Sequence, residues 1–417
     1  MTAKTGPWLG AALVGLLALA VMLNFVDRGA IGIAAPLMSK QLGLSATRFG
    51  IAVSAFFWTY GLTQPFIGAL ADRWPAGRVL AISVTVWAVA TLLTGLTTGL
   101  VMLVALRLLL GLGEAALFPC TSKLIAAHVP QARRGLANAV VAVGLALGPA
   151  LGVLAGGMIL ARYGWHTIFV CFGAVTLAWV LPWLALQARL PAQVVAGGAG
   201  AGGGMVGGDM VGGVMAADRP SPIRTLLKRR TLWVMGGAHA LANYGFFFVS
   251  IWLPLYLVKS RGLPIPTMTL FATTTYATQA LASLGWGQLS DILVRRGGNP
   301  GTVKRWLCVV AELGSVVGIA GIALAQGHAQ LLCALMLTGL FLGCLPTMVY
   351  ALGQFHAGPR DAAGWIGVQN AIGSLSGIIG PVMTGVIVDA TGSFSWAFAF
   401  AGLVSAAGAV VFATALP

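Results

Sequence analysis

Only 8% of the 417 residues are charged, whereas 58% are hydrophobic. Because a soluble domain carries roughly 25% charged residues, this composition excludes a soluble globular protein. The net charge of +15 does not indicate nucleic-acid binding, since the basic residues lie mostly in loops between apolar segments. Apolar runs long enough to span a bilayer recur along the chain, which predicts an all-α integral membrane protein.

The first apolar segment, residues 9–38, carries the opposite charges Asp27 and Arg28 near its middle. A second pair of opposite charges, Arg107 and Glu114, occurs in the fourth segment. Ionised groups inside hydrocarbon are costly unless they face water or a partner, so intramembrane charges indicate a functional site. A chain with two such pairs is expected to move something charged.

Twelve apolar segments in all are predicted to be transmembrane helices. Several contain Gly and Pro, which neighbouring helices can accommodate within a bundle. In chain order the predicted spans are 9–38, 49–71, 79–98, 100–126, 136–160, 166–188, 231–258, 267–291, 304–326, 329–352, 362–389 and 394–416.

The distribution of Lys and Arg between the loops predicts the orientation. With the N-terminus inside, seventeen basic residues lie in cytoplasmic segments and five outside, while Arg28 and Arg107 lie within the membrane. Positive charge accumulates on the cytoplasmic side, so both termini are predicted to be cytoplasmic.

Residues 189–230 separate the sixth and seventh predicted helices. The Gly-rich part, 197–213, cannot bury enough surface to fold and is typical of a flexible connector. The basic run Lys228-Arg229-Arg230 follows it and is expected to anchor the seventh helix at the inner surface; a regulatory or lipid-binding patch is the alternative. The predicted domains are therefore residues 1–188 and 231–417.

The two predicted domains resemble each other. Gly68-Ala69-Leu70-Ala71-Asp72 closes the second helix and Gly287-Gln288-Leu289-Ser290-Asp291 closes the eighth, while Gly148-Pro149 and Gly380-Pro381 lie within the fifth and eleventh. Matches at corresponding helices predict two pseudo-symmetric six-helix bundles, an arrangement known among transporters.

Enzymatic chemistry has no support in the sequence. The five cysteines are scattered through apolar segments without CxxC spacing, so neither disulfides nor a metal site is expected. No nucleophile, phosphate-binding or cofactor motif rises above chance. We therefore predict a protein that is not an enzyme and uses no cofactor.

Several motifs resemble the major facilitator superfamily and, within it, the anion:cation symporters. They include the stretch from Asn24 to Arg28 with Ala34-Ala35-Pro36-Leu37-Met38, the segment Arg107 to Pro119, Trp252-Leu253-Pro254-Leu255-Tyr256-Leu257 and Thr391-Gly392-Ser393-Phe394. Gly68, Asp72, Arg73, Gly77 and Arg78 resemble the superfamily's cytoplasmic loop motif, although Trp74-Pro75-Ala76 departs from its usual spacing.

The resemblance implies proton-coupled symport of a small organic anion, often a sugar acid, in a bacterial inner membrane. Asp27 and Glu114 match the family's proton-carrying carboxylates, and Arg28 matches the arginine that binds the substrate carboxylate. Tyr60 and Asn370 match substrate contacts. The expected partners are thus the anion, protons and the lipid bilayer, and a monomer is expected.

Arg107 matches the family's arginine two turns before the acidic residue. At about 1.5 Å per residue, the ionisable groups of helices one and four lie roughly 10 to 21 Å from the predicted outer ends. These depths bracket the middle of a hydrocarbon core about 30 Å thick, so the groups could line one cavity.

Uncharged polar residues fall at similar depths in the second half. Asn243, Gln279 and Asn370 carry amides that both donate and accept, which suits sugar hydroxyls. Each amide could instead form an interhelical hydrogen bond. Asp72, Arg73, Arg78 and Asp291 are predicted to form gating contacts at the cytoplasmic loops, and no role is assigned to Glu312.

The residues alone leave open one structural role for these charges and two other functions for the protein. The four charges of helices one and four could form a structural network of ion pairs, although buried pairs stabilise poorly. A transporter-like sensor would bind the anion and signal through a partner. An exchanger working without protons would need no titrating carboxylate, so Asp27 and Glu114 argue against it.

Overall fold

The computed structural model describes residues 7–190 and 223–416, all of whose regular elements are α-helices. Most of the predicted connector, including residues 197–213, lies outside the described residues. The fifteen helices are α1 (Pro7–Gln41), α2 (Ala46–Arg73), α3 (Ala76–Thr94), α4 (Leu100–Glu114), α5 (Leu117–His128), α6 (Gln131–Tyr163), α7 (Trp165–Gln187), α8 (Ile223–Leu226), α9 (Arg230–Lys259), α10 (Ile265–Arg295), α11 (Pro300–Leu324), α12 (His328–Leu342), α13 (Cys344–Gly373), α14 (Leu375–Thr391) and α15 (Phe394–Thr414).

Ten helical stretches in the described part are long and apolar enough to cross a membrane. Some predicted spans are built from two helices: the fourth consists of α4 and α5, which are separated at Ala115 and Ala116. Helices α2 and α10 are long enough but more polar, and α10 alone contains six threonines. The protein is thus a multi-pass membrane protein, and a count of twelve spans stays a prediction.

The chain divides into two compact units. Unit 1 contains described residues 7–43 and 55–190, and unit 2 contains 44–54 and 223–416. The division therefore falls within α2, whose first nine residues cluster with the second half of the chain.

In unit 1, α1 and α6 pack closely along a row of glycines on α6. A Cβ at Gly148 would lie 2.6 Å from the Cβ of Phe25, and a Cβ at Gly152 would lie 2.7 Å from the Val26 carbonyl oxygen. Only glycine allows this approach, as in other membrane helix pairs with small residues at intervals of four. The contact fixes the rotation of α1, so the side chains of residues 27 and 28 point towards other helices.

In unit 2, the first turn of α2 is held by α14. The Asp389 carboxylate accepts hydrogen bonds from the backbone N–H groups of Ala46 (2.9 Å) and Thr47 (2.8 Å). Gly385 lies against the backbone of Ala46 and Thr47 at the same place. A carboxylate at a helix N-terminus satisfies donors that otherwise lack partners, which anchors this end of α2 within unit 2.

Candidate functional site

The four ionisable residues predicted on α1 and α4 differ in exposure. Asp27, Arg107 and Glu114 are almost fully buried, with 2%, 3% and 1% of their surface exposed. The Arg28 side chain keeps 24% of its surface exposed. Arg28 is therefore the most exposed member of the group.

Arg28 makes an ion pair with Glu114. The guanidinium Nε donates to Glu114 Oε2 at 2.7 Å, and the Glu114 side chain is completely buried. Asn24, one turn before Arg28 on α1, also lies against Glu114. The pair joins the middle of α1 to the end of α4, where the helix breaks.

Three aromatic rings surround the Arg28 guanidinium. Its central carbon lies 5.1 Å from the ring centroid of Phe25, 5.1 Å from that of Phe56 and 4.5 Å from that of Tyr60. Phe56 and Tyr60 stack with their centroids 5.1 Å apart. Rings at these distances attract a cation and hold the planar guanidinium in one orientation. Tyr60 thus lies beside Arg28, and its role in substrate binding stays a prediction.

Packing between helices α2, α3 and α4 determines where Glu114 lies. A Cβ at Gly111 would meet the backbone of Phe56 and the Thr59 hydroxyl of α2, and one at Gly113 would lie 2.7 Å from the Trp87 backbone nitrogen of α3. The Ser83 hydroxyl also donates to the Gly113 carbonyl. The two glycines thus bring α4 against both neighbours just before the acidic residue.

Asp27 faces a different set of helices from its neighbour Arg28. Its Oδ2 accepts hydrogen bonds from the Trp87 indole Nε1 at 2.5 Å and the Thr176 hydroxyl at 3.3 Å. Adjacent residues on a helix point about 100° apart, which explains how Asp27 reaches α3 and α7 while Arg28 reaches α2 and α4.

Arg107 is buried in the same unit. Its guanidinium carbon lies 5.7 Å from the Phe169 ring centroid, and its charge interacts with both Asp27 and Glu114. Its Nε has no hydrogen-bond partner among the described residues. Two acids and two bases thus form one neutral cluster when all four are ionised, and an anion that enters would add uncompensated charge.

Unit 2 places two of its three predicted amides around the end of α13. Asn370 Oδ1 accepts a hydrogen bond from the Tyr350 hydroxyl at 2.7 Å, and Asn243 Nδ2 donates to the Gly373 carbonyl at 3.3 Å. Gln279 is half-buried on α10, and its backbone lies against Gly339 of α12 and against Gly343, which follows that helix. Asn243 and Asn370 are therefore neighbours, whereas Gln279 belongs to a different helix contact.

The comparison with known families decides the membership of this chain. The sequence model described as Major Facilitator Superfamily matches residues 17–299 and again 266–417. The chain belongs to the Major Facilitator Superfamily. It is therefore a member of a family of transporters and not an enzyme, and its all-helical structure has the superfamily's fold.

Individual relatives in the superfamily are similar over nearly the whole chain. The probable sulfoacetate transporter of Cupriavidus necator is 28% identical over 95% of this chain and 92% of its own length. The hexuronate transporter of Bacillus subtilis is 29% identical over 92% of this chain and 89% of its own length.

A solved structure shows the same fold. The crystal structure of a bacterial homologue of the human lysosomal transporter Spinster, inward-facing and unoccupied, matches 99% of this chain and 96% of that chain. The TM-score is 0.78 and the sequence identity is 18%, so this likeness concerns the fold alone.

The predicted gating residues of the superfamily loop motif are described only in part. The side chains of Asp72 and Arg73 lie outside the described residues, while Arg78 and Asp291 are exposed on α3 and α10. Their gating role stays a prediction.

Sequence reasoning missed the hydrogen-bond donors to Asp27. Trp87 and Thr176 lie in apolar runs of α3 and α7 and are both completely buried, so their pattern is that of packing residues. It also missed Tyr350, which orients Asn370. Only the tertiary contact distinguishes such residues, and no local signal could have identified them.

Proposed function

We propose that this chain is a secondary active transporter that carries a small organic anion, a sugar acid or related carboxylate, together with protons. The observation that carries the proposal is the Arg28–Glu114 ion pair, in which a partly exposed arginine is neutralised by a buried acid. Two relatives are named as a probable sulfoacetate transporter and a hexuronate transporter, and these names support an anionic substrate.

Binding of the anion and binding of a proton reinforce each other in this arrangement. An ionised Glu114 competes with a substrate carboxylate for the Arg28 guanidinium. Protonation of Glu114 removes that competing charge, and Arg28 can then bind the anion with its planar fork of donors. The same linkage means that a bound anion favours the protonated acid, which is the requirement for coupling.

Asp27 is proposed as the second proton-carrying group. Its carboxylate is buried beside the cluster and has no basic residue as a hydrogen-bond partner in the described chain. A charge in that position is costly, and protonation removes the charge. With both acids protonated, Arg28 and Arg107 provide the positive charge that balances an anion.

The uncharged part of the substrate is proposed to be bound by neutral polar groups. Tyr60 contributes a hydroxyl next to Arg28, and Asn243, Gln279 and Asn370 contribute amides. Amides donate and accept hydrogen bonds, as the hydroxyl groups of a sugar acid do.

The topology belongs to the same proposal. Two six-helix bundles, residues 1–188 and 231–417, are joined by the connector 189–230 and expose the site alternately to the two sides of the membrane. Asp72, Arg73, Arg78 and Asp291 act as gating contacts at the cytoplasmic side. The excess of basic residues in the predicted inner loops supports cytoplasmic termini. The proposal includes a bacterial inner membrane as the location and a monomer as the working form.

Flux measurements in proteoliposomes test this function. Uptake of labelled hexuronate and of sulfoacetate is measured with the outside acidic, with the outside alkaline and without a pH gradient. We expect an acidic outside to drive accumulation of one of the two anions, and Asp27→Asn to abolish that accumulation. Glu312→Gln, which removes a buried acid from unit 2, serves as the matched control and is expected to retain it.

The other candidate functions give different results in the same assay. Counterflow that is indifferent to the pH gradient and unchanged in Asp27→Asn would indicate an exchanger. Saturable binding without flux in either direction would indicate a sensor. Either result would refute symport.

A further inference from the structure

The hydrogen bonds to Asp27 come from α3 and α7, whereas Arg28 pairs with Glu114 of α4 and packs against rings of α1 and α2. Trp87 of α3 and Thr176 of α7 both donate to the same oxygen, Oδ2, at 2.5 Å and 3.3 Å. The other oxygen, Oδ1, is buried and has no partner among the described residues. The two carboxylate oxygens therefore have different environments.

Tight packing fixes both donors in place. Gly113 of α4 lies against the backbone and Cβ of Trp87, so α3 and α4 are in close contact at the base of this side chain. Gly173, one turn before Thr176, lies against the Ala88 carbonyl and the backbone of Leu92. Helix α3 is thus held between α4 and α7, and the indole and the hydroxyl are rigidly presented to Asp27.

Only α4 brings charged groups to Asp27 from another described helix. Arg107 and Glu114 interact with it electrostatically, whereas α3 and α7 present the neutral donors Trp87 and Thr176. On the opposite face of α1, the close contact with α6 is made by glycines. Neutral donors therefore provide the direct contacts of this carboxylate.

We propose that Trp87 and Thr176 are positioning residues that set the proton affinity of Asp27 and direct its proton to Oδ1. A hydrogen bond donated to a carboxylate stabilises the ionised form over the neutral acid. With Oδ2 occupied by two donors, Oδ1 is the site that accepts a proton arriving from water. This inference rests on the proposed function, in which Asp27 binds and releases a proton in each cycle.

The two donors favour release of the proton from Asp27. A buried carboxylate without donors would keep its proton and trap the anion, whereas two donors favour return to the ionised state. Loss of one donor is therefore expected to make Asp27 hold its proton to higher pH and to slow turnover more than it weakens anion binding.

The variants Trp87→Phe and Thr176→Val each remove one donor and keep most of the buried volume. Trp183→Phe is the control, because Trp183 is also completely buried in unit 1 but donates to the backbone carbonyl of Gly77 at 3.0 Å. Thr176→Val removes only a hydroxyl, so it tests the same proposal if Trp87→Phe fails to fold.

Infrared titration of the full-length protein, without substrate, gives the direct measurement. The C=O stretch of protonated Asp27 is identified by its loss in Asp27→Asn and is followed as a function of pH. We expect Trp87→Phe to move the midpoint upward by about one pH unit, the size expected for a hydrogen bond to a charged group. Trp183→Phe should leave the midpoint unchanged.

An unchanged midpoint in both Trp87→Phe and Thr176→Val, or an equal shift in Trp183→Phe, would overturn the inference. If the midpoint shifts as expected but hexuronate and sulfoacetate uptake ignores the pH gradient, the inference holds and the proposed symport fails. If wild-type uptake requires both the gradient and Asp27 while the midpoint stays fixed in the variants, symport holds and the inference fails.

Discussion

The two units arrange their buried polar groups differently. Unit 1 buries two acids and a base around the half-exposed Arg28, and these groups interact through charge. Unit 2 also buries two acids, Glu312 and Asp361, and Asp361 pairs with the exposed Arg229 at 2.8 Å.

Other polar contacts in unit 2 are neutral, such as Tyr244 with Thr384 at 2.9 Å and Tyr350 with Asn370 at 2.7 Å. Under the proposed function, the cluster of interacting charges in unit 1 would bind the anion and the protons, and the neutral groups of unit 2 would bind the uncharged part of the substrate.

Replacing Arg28 by lysine should have the largest effect. Lysine keeps the positive charge but loses the planar fork that fits both the Glu114 carboxylate and the three aromatic rings. We expect kcat/KM for anion uptake to fall roughly 100-fold, the effect of losing one partner of a charged hydrogen-bonded pair. Arg162→Lys, at an exposed position on α6, is the control. An equal loss in that variant would contradict a specific role for Arg28.

A methyl group added between α1 and α6 should have the next largest effect, which is on the stability of the protein. Gly152→Ala places a Cβ 2.7 Å from the Val26 carbonyl oxygen, next to Asp27. Overpacking of this kind costs about 1–3 kcal/mol, so the thermal unfolding midpoint should fall. Gly15→Ala has nothing within 4 Å and should leave stability unchanged or raise it; equal effects in both variants would contradict the close packing.

Changes to the neutral groups of unit 2 should be smaller. Asn370→Ala removes the partner of the Tyr350 hydroxyl, and the loss of one neutral hydrogen bond is worth about 1 kcal/mol. We therefore expect KM to rise less than tenfold while the pH dependence of uptake stays as in the wild type. A change in pH dependence would show that unit 2 contributes to proton coupling.

The smallest effect is expected from Glu312→Gln in unit 2. Glu312 is fully buried on α11, and its carboxylate lies beside Gly408 of α15, away from any described basic partner. Proton-driven accumulation should persist in this variant. If size-exclusion chromatography shows normal folding but proton-driven accumulation is lost, then a proton-carrying acid lies in unit 2.

The fold class and the intramembrane position of the charged residues of α1 and α4 could be predicted from the sequence. Apolar segments of bilayer length predict membrane helices reliably, because the cost of exposing backbone polar groups to lipid leaves few alternatives. The intramembrane positions of Arg28 and Glu114 stand out for the same reason, and the structure brings them together at 2.7 Å.

Other features depend on tertiary packing and could not be predicted. The break between α4 and α5 follows Glu114 within a continuous apolar run, where composition gives no signal. Trp87 and Thr176, the two donors to Asp27, lie in apolar runs, and so does Trp183. The Trp183 indole instead donates a hydrogen bond to a backbone carbonyl. Which buried tryptophan meets a carboxylate is decided by helix rotation and glycine contacts.

The central claim, that Glu114 holds Arg28 until a proton releases it, is tested most directly by anion binding to Glu114→Gln as a function of pH. Equilibrium binding of hexuronate and sulfoacetate is measured for this variant and for the wild type. The account predicts that the wild type loses affinity as pH rises, whereas Glu114→Gln, whose amide cannot ionise, loses much less affinity because only Asp27 is left to ionise. Loss of affinity with rising pH that is the same in both proteins would contradict it.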